Sequence, residues 1–406
     1  MGPIIRAMRH NKTRFILIIL EIAFTLAIVT NCVNMILEER RTLTHPSGFD
    51  DDNIVWLRSR PFAPEFRETK YMQNSIEADV RTIAAIPGVK AVASTNFRPW
   101  QGGGSSTMIR QAGKKGDAVR SQIYYATAGI FNTLATPIAS GRGFIPTDFN
   151  YPDDGNPSVV VISRGLARLL FGDGNPIGRA VVQPDTGGNG EDSAPYTVVG
   201  VIDQFYNPYG WPIHEYAIFA PSRVGSYSRG SRFLVRVEPG AMRNVTAEIE
   251  RRLIAANGGR VLELKTIAQI KDDYQAGRRL IVGAMEAVIV ILIFVTGLGI
   301  LGITSLSVAE RTRQIGTRRA LGATRADILR HFLAENWLVT TAGLILGIAS
   351  TYGLNFLLVS HVSGEKMSFS LVAIGMVLLW VAGLVATIPP ALRASMVSPA
   401  IATRSI

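Results

Sequence analysis

Four long apolar runs decide what this chain can fold into. They cover about 15–36, 280–307, 337–360 and 369–388. Each has about the 20 residues that an α-helix needs to cross a hydrocarbon core of about 30 Å. The composition carries the same bias, with 47% hydrophobic and 18% charged residues. Soluble domains carry about 25% charged residues. Disordered, collagen-like and coiled-coil classes are thereby excluded. The expected fold class is a membrane protein with four transmembrane α-helices and one large α+β extracytoplasmic domain over residues 38–279.

The charges assign sides. Lys+Arg is 42 against 31 Asp+Glu, a net charge of +11. Arg6, Arg9, Lys12 and Arg14 precede the first run, and Arg311, Arg313, Arg318, Arg319, Arg325 and Arg330 crowd the stretch 308–336. The stretch 361–368 holds one basic residue, Lys366. Basic residues next to spans stay in the cytoplasm. Segments 1–14, 308–336 and 391–406 are therefore assigned to the cytoplasm, with both termini inside, and 361–368 to the outside. The positive charge is topogenic, and nucleic acid is not a partner. The first run is too long for a signal peptide, is interrupted by Glu21, and has no small-residue cleavage site after it. It reads as a retained span. The single cysteine, Cys32, excludes an intrachain disulfide.

Proline marks the domain edges. Sixteen of the 20 prolines lie between Pro46 and Pro239, and none between Ala241 and Ile388. The outer domain is thus rich in turns. Apolar and β-branched runs predict strands at 53–57, 89–94, 121–126, 158–162, 196–202, 215–219, 232–237 and 261–264. Helical patterns cover 76–86, 164–171 and 241–256. Spacing of this kind indicates βαβ-like units.

Two helices should run on beyond the membrane as stalks. Thr266-Ile267-Ala268-Gln269 is a capping box, in which the two polar side chains satisfy each other's backbone N–H groups. With no proline before the second run ends, a helix from Ile267 to about Leu306 would be about 60 Å long. The first span likewise lacks a breaker from Asn11 to Pro46.

Most chemical motifs dissolve on inspection. Gly297-Leu298-Gly299-Ile300-Leu301-Gly302 matches the dinucleotide fingerprint, but it sits inside a span with no preceding strand; close helix packing explains it. The same holds for Gly343-x-x-x-Gly347. No phosphate-cradling G-x-x-x-x-G-K-[ST] occurs in the sequence. The histidines His10, His45, His214, His331 and His361 lack ligand spacing, so no metal, cofactor or catalytic site is expected and the chain does not read as an enzyme. Two carboxylates, Glu21 and Glu286, fall inside spans, where charge is costly. Their depths differ too much for direct pairing. Buried hydrogen bonding or packing between subunits is the favoured role over proton coupling.

The segment from Glu310 to Thr324, E-R-T-R-Q-I-G-T-R-R-A-L-G-A-T, is the most informative. On a helical projection it has no clean apolar face, and a helix polar on most sides bridges partners. Gly322 can close it and Thr324 with Asp327 can open the next helix. A plain topogenic loop is the alternative.

E-R-T-R-Q-I-G-T-R-R-A-L-G-A-T-R-A-D-I-L at 310–329 resembles the signature of MacB/FtsX-type ABC transporter permeases. So do R-A-M-R-H-N-K-T-R at 6–14, G-R-G-F at 141–144, V-V-V-I-S-R-G-L-A-R-L-L-F-G at 159–172, N-P-I-G-R at 175–179, Y-T-V-V-G-V-I at 196–202 and P-A-L-R-A-S-M-V-S-P-A at 390–400. The resemblance implies a bacterial inner-membrane permease that pairs with a second permease copy and a cytoplasmic ATPase dimer. It implies a porter-like domain split by an inserted subdomain, placed at about 126–215. It also implies transport by mechanotransmission, with a periplasmic adaptor and an outer-membrane channel as partners; an FtsX-like regulatory permease is the alternative. The short helix is the family's coupling helix. Its expected ATPase contacts are Glu310, Arg311, Arg313, Ile315, Gly316, Arg318, Arg319, Ala320 and Gly322, with Ile315 as the apolar anchor. Tyr206, Tyr209, Trp211 and Tyr216, among prolines and glycines, are the expected adaptor contact.

Overall fold

The computed structural model describes residues 12–103, 105–114, 118–151, 156–184, 192–206, 215–223, 231–362 and 368–398. The chain divides into a domain unit, Thr44–Gly277, and a helix unit formed by the chain before and after it.

The domain unit begins as a split pair of βαβ passes. Strand β1 (Ile54–Pro61), helix α2 (Thr69–Ala84) and β2 (Val89–Ser94) make the first; β12 (Ser231–Val237), α5 (Met242–Ala256) and β13 (Arg260–Thr266) make the second. They interleave into one sheet of order β13-β1-β12-β2 with antiparallel neighbours. Alternation explains its core. Val55 and Leu57 of β1, with Phe233, Val235 and Val237 of β12, pack against the helix stripes Ile76/Ile83 and Val245/Ile249/Leu253. Residues four apart on a helix share a face, so each helix turns one stripe to the sheet. Buried between α2 and β13, Arg260 is paired with Asp79. Burial raises the pKa of the Asp79 carboxyl, and Arg260 opposes the shift.

Between the two passes lies a second sheet of seven strands, in the order β7-β10-β8-β11-β6-β5-β9. Its members are β5 (Ser105–Gln111), β6 (Val119–Ala126), β7 (Ile138–Gly141), β8 (Val159–Ser163), β9 (Ala180–Val182), β10 (Tyr196–Ile202) and β11 (Ala217–Pro221). This sheet therefore begins well before residue 126, because the β5–β6 hairpin pairs into it. The short pair β3 (Phe97–Arg98) and β4 (Gly102–Gly103) precedes it. Helix α3 (Ile130–Leu134) follows β6. Helix α4 (Arg164–Phe171) lays Leu166, Ala167 and Phe171 against the sheet's own core. An aromatic cluster joins the two sheets: Phe205 meets Phe219 at 5.0 Å, and Phe97 meets Tyr124 at 4.7 Å.

Among the described residues, five helices form the helix unit: α1 (Lys12–Thr44), α6 (Ile267–Glu310, from Arg278 on), α7 (Thr312–Ala320), α8 (Arg325–Val362) and α9 (Phe369–Ser395). Four of them are long and apolar enough to cross a membrane. At the start of α6 the capping box forms as expected: the Thr266 N–H donates to Gln269 Oε1 at 3.0 Å, and the Gln269 N–H to Thr266 Oγ1 at 3.1 Å. At 44 residues, α6 is about 66 Å long at the standard rise.

α1 runs antiparallel to α6. Arg14 pairs with Glu310 at 2.8 Å, Thr25 with Thr296 at 2.8 Å, Arg40 with Glu286 at 2.6 Å, and Glu39 with Arg278 at 2.5 Å. Glycines set the closeness of the other crossings. A Cβ on Gly343 would stand 2.8 Å from that of Ile22, and one on Gly347 2.9 Å from Leu26. α9 runs through Pro389-Pro390 and continues to Ser395, past the expected end of the fourth run, because Ala391 and Ala394 are buried against α7 and α8.

Candidate functional site

α7 is a nine-residue helix with strong punctuation at both ends. Its C-terminus is a Schellman motif. Gly322 adopts φ +100°, the Gly322 N–H donates to the Arg319 carbonyl at 3.1 Å, and the Ala323 N–H to that of Arg318 at 3.0 Å. A second capping box then opens α8, with the Asp327 N–H on Thr324 Oγ1 at 3.2 Å and the Thr324 N–H on Asp327 Oδ2 at 3.0 Å.

The helix has two faces. Ile315, 4% exposed, packs with Ile328, Phe332, Ala391 and Ala394, and Gly316 is buried beside it. Arg311 holds Glu335 at 3.0 Å, and the Glu335 side chain is 8% exposed. An Arg319 guanidinium N–H donates to the Val397 carbonyl at 2.5 Å. Glu310 is held by Arg14. The opposite face presents Arg313, Gln314, Thr317, Arg318, Ala320 and Gly322 to solvent, and ends in Leu321, 83% exposed.

This corrects the expected helix without an apolar face and the reading of Ile315 as an anchor for a partner. A lone bulky apolar group on a short helix is captured by the nearest apolar surface, here the adjoining ends of α8 and α9. The apolar group left facing outward is Leu321. Its only signal in sequence is a bulky residue in the capping turn, directly before a glycine, where the chain leaves the helix.

The expected aromatic contact is divided. Tyr206 is buried, stacked on His45 at 4.3 Å, and His45 Nε2 lies 3.2 Å from Glu215. Tyr216 is half-buried against the seven-stranded sheet. Tyr209 and Trp211 lie outside the described residues. The two span carboxylates do not meet. Glu286 pairs with Arg40, whereas Glu21 lies along the Cβ-free face of Gly299, where an added Cβ would fall 2.6 Å from Oε2. Sequence reasoning missed Glu335 and the buried Asn336 and Thr340 on the next turns of α8, because an isolated polar residue at the margin of an apolar run reads as loop.

Two family models cover most of the chain: "MacB-like periplasmic core domain" matches residues 15–252 and "FtsX-like permease C-terminal" residues 286–399. The chain is an ABC transporter permease of the MacB/FtsX family. Among its relatives, the macrolide export ATP-binding/permease protein MacB of Chromobacterium violaceum is 30% identical over 59% of this permease and 36% of its own length. The pyoverdine export ATP-binding/permease protein PvdT of Pseudomonas aeruginosa is 28% identical over 98% of this permease and 58% of its own length. The ABC transporter permease YknZ of Bacillus subtilis, described as uncharacterized, is 29% identical over 81% and 78%. The permease spans less than two thirds of the length of MacB and of PvdT. α7 falls within the FtsX-like part, and both sheets within or beside the periplasmic core part.

Proposed function

We propose that this permease couples ATP hydrolysis by a separate cytoplasmic ATPase to movement of its periplasmic domain, driving export or extraction of a periplasmic substrate. The observation that carries the reading is the division of α7 into a locked face and an offered face. Ile315, Arg311 and Arg319 tie the helix to the rest of the helix unit. A push on the solvent face is therefore passed to the helices rather than absorbed by a loose loop. That face combines cations, Arg313 and Arg318, with an exposed apolar tip, Leu321. Apolar anchors in pockets carry most interface energy, while rim charges tune rate and salt dependence. Both termini and α7 are on the cytoplasmic side in this reading, and a second permease copy completes the transporter. The relatives named for macrolide and pyoverdine export support export over a purely regulatory role. A periplasmic adaptor and an outer-membrane channel complete the path.

The test separates the two faces. Leu321→Asp leaves the packing of Ile315 intact and should abolish co-purification of the cognate ATPase from membranes at unchanged permease levels. Arg318→Ala should weaken recovery mildly and more so at high salt. Equal ATPase recovery with Leu321→Asp and wild type would place the interface elsewhere.

A further inference from the structure

One face of the four-stranded sheet carries more positive charge than the fold neutralises. Alternate residues of a strand share a face, which puts Trp56, Arg58 and Arg60 of β1 together. Arg58 stands opposite Arg232 on β12 and opposite Glu263 on β13. Like charges set directly opposite destabilise a sheet. Glu263 is already shared, with Arg60 at 3.4 Å and Arg98 at 3.9 Å. Lys265 and Asp273 neutralise each other at 2.9 Å. Four arginines thus share Glu263 and the field of Asp273, whose own close partner is Lys265.

Unused donors collect at the same place. Arg58 makes no ion pair or side-chain hydrogen bond among the described residues. The Arg98 guanidinium lies 4.2 Å above the Trp56 ring, and its buried Nε has no partner among them. Neither has the indole Nε1 of Trp56, a residue 1% exposed. Arg232 uses one N–H on the Asn96 carbonyl at 2.7 Å. Burial first, and then Arg58, lowers the pKa of Arg232. The stretches 101–104 and 224–230, next to β3 and β12, contain no Asp or Glu. A buried donor without an acceptor is costly to keep, and repulsion retained against stability is a mark of function.

We propose that this face binds a small, multiply charged oxyanion, a phosphate ester or a polycarboxylate, gripped by Arg58, Arg98 and Arg232 over the Trp56 platform. Guanidinium forks match such planar or tetrahedral oxygens two at a time. The site belongs to the domain unit alone and does not depend on the ATPase reading.

The test uses the full-length permease in detergent, titrated with pyrophosphate and, separately, citrate, with sodium chloride at matched ionic strength as the control. Each anion should raise the thermal midpoint saturably where chloride does not, and the tighter of the two identifies phosphate or carboxylate as the preferred chemistry. Arg58→Gln should leave the anion-free midpoint equal or higher, because the repulsion with Arg232 is gone, yet weaken anion binding about tenfold or more. Arg58→Lys should fall between, since charge is kept and the fork is lost. Arg81→Gln, on the exposed side of α2, should bind as wild type does. The proposal fails if neither anion gives a saturable shift in wild type. It fails equally if Arg58→Gln lowers the anion-free midpoint while leaving affinity unchanged.

Discussion

The domain unit and the helix unit solve opposite problems. In the domain unit the large aromatic groups of the core are hidden, with Trp56, Phe97, Phe205, Phe219 and Phe233 almost wholly buried. In the helix unit α6 leaves Leu280, Val290, Ile291 and Phe294 bare along its length. Water forces the first arrangement and hydrocarbon permits the second, because lipid tails are as apolar as the side chains they touch. Specificity must then come from different sources. Ring geometry and hydrogen bonding define the domain. Close backbone approach at Gly343 and Gly347, with a few polar pairs, defines the bundle.

Substitutions can break this contrast, starting with the largest effect. Arg260→Ala should destabilise the domain unit by about 3–5 kcal/mol, because it strands a buried carboxylate. Burial already holds the pKa of Asp79 above the usual carboxylate range, and the variant removes the cation that opposes the shift. The folded state then binds its proton at higher pH than the unfolded state, so stability falls as pH rises through that interval. Denaturant unfolding followed by Trp fluorescence should show the deficit shrinking towards acid pH; a pH-independent deficit would refute the assignment.

Gly343→Leu comes next. Its side chain collides with Ile22, and overpacking typically costs about 1–3 kcal/mol. The bundle should lose thermal stability in detergent while the domain unit's fluorescence signature stays. Thr266→Ala removes one half of the capping box and should cost about 1 kcal/mol. Faster hydrogen exchange at the first amides of α6 would report it. Phe294→Ala should be the mildest. Phe294 is 65% exposed, and substitutions away from packed features stay within about 0.5 kcal/mol. A large loss of stability in a lipid-reconstituted monomer would mean that α6 has a packing partner there.

Legibility in the sequence follows the same divide. The spans, the long α6 and its capping box were readable because each rests on short-range chemistry: run length, a missing proline, Thr266 three residues before Gln269. All eight expected strands are present. β3, β4, β5, β7 and β9 were missed; β3 and β4 are two residues each, and Ser105-Ser106-Thr107 and Ile138-Ala139-Ser140-Gly141 carry too little apolar alternation to announce themselves. The turn from α7 into α8 was half legible. Gly322, Thr324 and Asp327 were read correctly as punctuation, but which face of α7 points outward depends on Phe332 and Ala391, which no local pattern connects to Ile315. The arginine-rich sheet face was invisible for the same reason, since Arg58, Arg98 and Arg232 come together only through strand register.

The antiparallel pairing of α1 and α6 constrains how the chain's length can drift in evolution. Its contacts at Arg14–Glu310, Thr25–Thr296 and Arg40–Glu286 form one phase along both helices. Each added residue turns a helix by about 100°. A single deletion in α6 between Thr296 and Gly299 would swing Glu310 away from Arg14 and shift Gly299 from beneath Glu21. Changes of about seven or eleven residues, two or three turns, bring the phase back to within about 20°, and then only with a matching change in α1. Insertions and deletions among descendants of this sequence should therefore gather in the hairpins and turns of the domain unit, where no such clockwork runs.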